Sequence, residues 1–157
     1  MKIKGLVVDI NGVLHNEKEP FFDTVRVFNK IKKKFPVRLV SNSTSKTQEE
    51  SAQKMQNMGF CVKAHEIFTP IEAIHSYLLA SKKGAFFIST AKTKESFKDI
   101  PSSPVDFVVV THAHEEFTFQ NLNQGFRYLR LGAKLIGSGS SKYYVDSHGH
   151  FNLDPGP

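Results

Sequence analysis

The run Leu6-Val7-Val8 is followed at once by a carboxylate, Asp9, and then by Ile10-Asn11-Gly12. A short apolar run bounded by turn residues reads as a buried strand, and such strands belong to parallel sheets covered by helices. The consequence is positional. Asp9 falls at the strand's carboxyl-terminal end, where open α/β sheets bind their ligands. A carboxylate held there by a rigid strand suits a nucleophile or a metal ligand, and Gly12 lets backbone come close to a phosphate. Asp and Gly are also ordinary turn residues, so the segment taken alone is equally a strand ending in an Asp-capped turn.

A second run decides between these readings. Val37-Arg38-Leu39-Val40 is another short strand, ending in Ser41-Asn42-Ser43, and one helix-length segment separates the two. Strand, helix, strand implies a right-handed crossover, which brings Asp9 and Ser41 out on the same edge of a parallel sheet. A carboxylate beside hydroxyl and amide donors is what a phosphoryl group needs: an attacker, and partners for its equatorial oxygens.

With both runs in view, the residues resemble a known family. Asp9-Ile10-Asn11-Gly12-Val13-Leu14 resembles the first motif of the haloacid dehalogenase-like (HAD) phosphatases, usually Asp-x-Asp-Gly-(Thr/Val)-Leu, and Ser41-Asn42 resembles their second. Val40 to Thr44 with Lys46 soon after, Phe68-Thr69 opening a helix, and Gly132-Ala133-Lys134-Leu135-Ile136 are similar to the subfamily with a large α/β cap after motif two. Within it the resemblance is nearest to the phospholysine/phosphohistidine inorganic pyrophosphate phosphatase group and its HAD-domain relatives, where Tyr-Tyr and a late Pro-Gly-Pro also occur, as in Tyr143-Tyr144 and Pro155-Gly156-Pro157 here.

The resemblance implies an α/β fold: a partial Rossmann-like core lobe with a parallel sheet over 1–70, and an α/β cap over 71–157. It implies a Mg²⁺-dependent phosphatase acting on small phosphorylated compounds. Asp9 would attack phosphorus to form an aspartyl phosphate, with Mg²⁺ held by the Asp9 carboxylate and the backbone carbonyl of Asn11. Ser41, Asn42 and the amides from Ile10 to Gly12 would bind the transferring oxygens. Two departures stand out. Asn11 occupies the place of the family's second acid, which protonates the leaving group, and an amide cannot exchange a proton, so slow turnover is expected. Members of the nearest group also carry a non-acidic residue there. The sequence also stops at Pro157, before the family's motif-three lysine and motif-four acidic pair, and so reads as half an active site.

Composition bounds the alternatives. A chain of 157 residues makes one domain or two small lobes, and no apolar run approaches the roughly 20 residues of a membrane helix. Met1-Lys2-Ile3-Lys4 leads straight into the first strand, so no signal peptide is expected before Asp9. The single cysteine, Cys61, excludes an internal disulfide and suits a reducing cytoplasm; after Phe60 it reads as a small core residue. Lys and Arg outnumber Asp and Glu by 21 to 15, but the charges are spread out, so no nucleic-acid partner is expected. The dense patch Lys30 to Lys34 reads as a solvated helix terminus.

Along the chain, His15 to Pro20 reads as a polar loop able to close over the catalytic edge. Asp23 or Thr24 caps a helix to about Phe35, with Val25, Phe28, Ile31 and Phe35 in one stripe. The hydroxyl-rich Ser43 to Thr47 caps the next helix, which turns Ala52, Met55 and Met58 inward and ends at Gly59. A third core strand is expected within Phe60 to Phe68, then a helix from Pro70 to about Ser81 using Ile71, Ile74, Leu78 and Leu79. Alternating strands and helices follow: Ala85 to Ser89, Lys94 to Phe97, Phe107 to Thr111, Phe119 to Leu131 and Leu135 to Gly137, a second parallel sheet.

Three clusters invite sharper readings. His112-Ala113-His114-Glu115-Glu116 has the look of a zinc site but lacks an assignable third ligand, and reads as a polar loop. His148-Gly149-His150, near Asp146, reads as a turn between short strands. Gly137 to Lys142 lacks the Gly-Lys-Ser/Thr ending of a phosphate loop; by resemblance it is a cap loop, with Lys142 and Tyr143 candidate substrate contacts. The rival to catalysis is a non-catalytic HAD-like fragment or pseudoenzyme that binds a partner or forms a homodimer through the cap.

Overall fold

The computed structural model describes residues 2–153 apart from 17, 45, 146 and 147. Pro155-Gly156-Pro157 and Asp146, both used in the sequence reading, lie outside the described residues. The chain divides into two units, Met1–Thr69 and Pro70–Pro157.

In the first unit, β1 (Leu6–Asp9), β2 (Val37–Val40) and β3 (Ile67–Phe68) form a parallel sheet in that order. The β1 and β2 register runs from Leu6 opposite Val37 to Asp9 opposite Val40. The helices α1 (Thr24–Lys32) and α2 (Gln48–Asn57) make the two crossovers. Because strand order advances in one direction, right-handed crossovers put both helices on one face. The packing agrees: Phe28 of α1 and Ala52 and Met55 of α2 join Val37, Leu39 and Ile67 in one buried cluster, with Leu6 and Val8 against it. The alternate residues face the other way. Val7 is 73% exposed and Phe68 51%.

Local chemistry sets the helix ends. Thr47 caps α2 in a capping box with Glu50, and Gly59, at φ +95°, provides the left-handed turn beyond its end. The cap of α1 differs from expectation. Asp23 occupies the N-cap without making a capping bond, because its carboxylate is taken by Arg26, which holds the Asp23 carboxyl below its usual range. Thr24 ties the helix start down instead, its hydroxyl donating to the carbonyls of Leu14 (2.9 Å) and Phe21 (2.7 Å). The helix ends at Lys32, so Phe35 falls outside it.

Cys61 is exposed rather than a core residue. Phe60 and Val62 are both buried, and in an extended segment the residue between two inward side chains must point out. Its backbone is nonetheless held, the amide donating to Asn29 Oδ1 at 2.8 Å and the carbonyl accepting from Lys32. Lys32 also pairs with Glu66, so the lysine patch is not wholly solvated.

The second unit contains β4 (Gly84–Ile88), β5 (Val105–Val110) and β6 (Lys134–Gly137), a parallel sheet in that order. It is wound with α3 (Pro70–Ser81), α4 (Ala91–Glu95) and α5 (Phe119–Arg130), and followed by an antiparallel pair, β7 (Tyr143–Val145) and β8 (Phe151–Leu153). Ile71, Ile74 and Leu78 of α3 pack with Ala85, Phe107 and Val109. Leu79, expected in the same stripe, is exposed. Helix α4 starts earlier than expected because Thr90 caps it through the Thr93 amide. Gly149, at φ +85°, lies between β7 and β8.

Candidate active site

Two strand ends build the site. Since Asp9 is paired with Val40 on the adjacent parallel strand, Asp9 and Ser41 leave the sheet at the same edge, with neighbouring strand axes about 4.8 Å apart. Their environments differ. Asp9 follows the exposed alternation of Val7 and is itself exposed, whereas Ser41 is 6% exposed and its Oγ accepts the Ser43 amide at 3.1 Å. Ser41 lines a small cavity with Ile10, Asn11, His15 and Ser43, and Asp9 is not among the residues around it. Asn42 is exposed.

The turn after β1 is fixed by its own backbone. Leu14 donates to the Ile10 carbonyl at 2.9 Å, and Gly12, at φ +78°, donates to the His15 carbonyl at 3.0 Å. A positive φ is why glycine stands at this position. The Gly12 amide is therefore engaged within the loop, and the open space beside its Cα is what it offers a ligand.

Sequence reasoning missed His15. It falls in the polar loop expected to close over the catalytic edge, yet it is 2% exposed, with Nδ1 donating to the Asn16 carbonyl and its backbone bridging Asn11 and Pro20. Nothing local marks it, because its burial comes from the return of the chain at Pro20 and from α2.

The other candidates lie in the second unit. Tyr143 is exposed and packs edge-on to Phe151, and Lys142 is exposed beside it. His112 and His114 have ring centres 3.9 Å apart. Among the described residues, no three His, Cys, Asp or Glu side chains are grouped to hold a metal, and no helix is long and apolar enough to cross a membrane.

The family model described as haloacid dehalogenase-like hydrolase matches residues 6–101, a span that begins at β1 and contains both strand ends. The chain belongs to this family. Human haloacid dehalogenase-like hydrolase domain-containing protein 2 is 30% identical over 99% of the chain and 60% of its own length. Human phospholysine phosphohistidine inorganic pyrophosphate phosphatase is 27% identical, again over 99% of the chain and 60% of its own length. The chain thus spans 60% of the length of these curated relatives. Among solved structures, a hypothetical protein from Pyrococcus horikoshii OT3 superimposes with a TM-score of 0.86 at 20% identity, covering 98% of this chain and 64% of that one. This likeness carries the fold, an α/β arrangement of parallel sheets.

Proposed function

We propose that this chain carries the nucleophile half of a Mg²⁺-dependent phosphatase that hydrolyses small phosphorylated compounds. The observation that supports it best is the parallel pairing of β1 with β2, which sets Asp9 and Ser41 at one sheet edge within a family of hydrolases. The Asp9 carboxylate attacks phosphorus, giving an aspartyl phosphate and releasing the substrate's oxygen or nitrogen. Water then attacks the phosphoryl group and frees phosphate. Ser41, Asn42 and the amides of Ile10 and Asn11 bind the transferring oxygens, where donors strengthen as charge builds. Substrate and reaction class beyond this follow the family, with phosphoester, phosphoamide and pyrophosphate all compatible.

The donors on this chain suit Mg²⁺. Asp9 is an exposed carboxylate, and among the described residues the Asn11 carbonyl takes no turn or loop hydrogen bond. One carboxylate and one carbonyl, with water and phosphate oxygens completing the shell, is a set this cation accepts. Bound there, it would neutralise charge on the phosphoryl oxygens. The family's motif-three lysine and motif-four acids have no counterpart in these 157 residues. Groups of that kind are each worth a few kcal/mol, so the chain by itself should run orders of magnitude slower than a complete relative.

The test is Mg²⁺-dependent release of p-nitrophenol or phosphate from p-nitrophenyl phosphate and pyrophosphate. Slow turnover that requires both Mg²⁺ and Asp9 supports the reading; turnover as fast as a complete homologue's, or turnover indifferent to Asp9, refutes it.

A second reading rests on a different surface. Phe119, Leu122 and Phe126 of α5 and Leu135 of β6 are all exposed in the second unit. An apolar set of this kind suits a non-catalytic module that pairs with a second copy. Its signature is a dimer by light scattering with no Mg²⁺-dependent hydrolysis.

A further inference from the structure

His15 sits at the hub of the loop after β1. Its carbonyl accepts the Gly12 amide, its backbone bridges Asn11 and Pro20, and its ring is almost wholly enclosed. Nδ1 faces the Asn16 carbonyl, which can only accept, so Nδ1 carries the proton and Nε2 of the neutral ring presents a lone pair. Among the described residues nothing donates to that lone pair. His15 lines a cavity of about 20 Å³ with Asn11, Ser41, Ser43, Lys46 and Ser51. Such a space fits one water, and its lining offers the several polar partners that a buried water needs.

Ser41 lines the same cavity. Its Oγ accepts the Ser43 amide at 3.1 Å, which leaves one lone pair and one proton. We propose that a single ordered water donates to His15 Nε2 and Ser41 Oγ together, making His15 a positioning residue for Ser41. With both lone pairs of Oγ filled, the hydroxyl can only donate, and its proton turns away from the cavity toward a phosphoryl oxygen. The ring thereby ties the loop after β1 to the loop after β2, the two turns that must share one phosphate. This rests on the phosphatase reading for the use of Ser41, but the water itself does not.

Two measurements decide it. A crystal structure of the chain should show water within about 3 Å of both Nε2 and Oγ. Phosphorus NMR titration with inorganic phosphate and Mg²⁺ then compares wild type, H15F, H15Q, S41A and the H15F/S41A double variant, each checked for folding by thermal melt. H15F removes the acceptor and should weaken phosphate roughly five- to tenfold. H15Q keeps an acceptor oxygen and should retain most of the affinity. In the S41A background, H15F should add almost nothing, an outcome that a merely structural histidine does not produce. Wild-type density without the bridging water, or equal H15F losses in both backgrounds, overturns the inference. If phosphate does not bind, or S41A binds it as wild type does, the phosphatase reading fails, and the water density alone then rules on His15.

Discussion

Asp9 stands in register with Val40 on the adjacent parallel strand, so Ser41 leaves the sheet one residue beyond the carboxylate's partner. If these two side chains serve one phosphoryl group, removing them should have unequal effects. Asp9→Asn eliminates the attacking oxygen's charge and should abolish Mg²⁺-dependent turnover of p-nitrophenyl phosphate. Ser41→Ala removes one donor to the transferring oxygens and should lower kcat by about a hundredfold. Similar losses for both variants would place the chemistry elsewhere.

Asn11 lies in the same turn, and an amide there cannot lend a proton to the leaving group. Asn11→Asp restores the acid of the family's first motif and should raise turnover. The gain should be larger for an alkyl phosphate than for p-nitrophenyl phosphate, whose leaving group departs without protonation. Parallel kinetics on the two substrates measure this, and an equal gain on both would argue against an acid role for position 11.

Lys32, in the last turn of α1, reaches Glu66 just before β3, and both side chains are mostly covered, at 20% and 14% exposed. Burial pushes the Glu66 carboxyl up, but the Lys32 ammonium and the Lys63 amide outweigh it and hold the group below its ordinary value of 4.5. A carboxylate depressed in the folded state contributes stability above its unfolded pKa, and that contribution fades as pH falls through the folded value. Stability should therefore drop below about pH 4.5 in wild type. Glu66→Gln should lower stability by about 1–3 kcal/mol at neutral pH and flatten that acid limb. Denaturant melts from neutral pH to pH 3 would show it.

Most of the fold was legible because it rests on local patterns. The apolar runs ending in Asp9 and Ser41 gave the parallel strands, and Thr47, Gly59 and Pro70 marked helix ends through their own chemistry. What escaped depended on residues distant in sequence. Asp23 was diverted from capping by Arg26, Cys61 was turned outward by the burial of both neighbours, and His15 was enclosed by the chain's return at Pro20. The candidate site divides the same way: the parallel pairing that brings Asp9 and Ser41 to one edge followed from pattern, while the engagement of Gly12 by His15 did not.

Gly84 opens β4 where the chain runs against another backbone. A Cβ there would stand 2.1 Å from the Pro104 carbonyl oxygen and 2.9 Å from that of Pro101. Carbonyl oxygens cannot swing aside as a side-chain tip can, so the strand itself would have to move. Gly84→Ala should destabilise the second unit by about 3 kcal/mol or more, within the range of severe overpacking. Gly125→Ala, whose nearest contacts would be side chains, Ile88 at 3.2 Å, Val108 at 3.3 Å and Phe86 at 3.9 Å, should cost clearly less. Urea unfolding of both variants tests the ranking.

Within the first unit, the helices cover one face of the sheet. Its helices both pack over Leu6, Val8, Val37 and Leu39, while Val7 and Phe68 stand exposed on the opposite face and β1 is an edge strand. Parallel sheets in α/β proteins are ordinarily covered on both faces, and an exposed edge strand is a template for pairing with another chain. The 157-residue chain should therefore self-associate through this face as concentration rises. Val7→Lys places a charge in the middle of the edge strand, on the uncovered side, where it disturbs no core contact. Light scattering should show less association for the variant at unchanged thermal stability. If scattering instead falls with Phe126→Glu on α5 and is indifferent to Val7→Lys, association runs through the second unit.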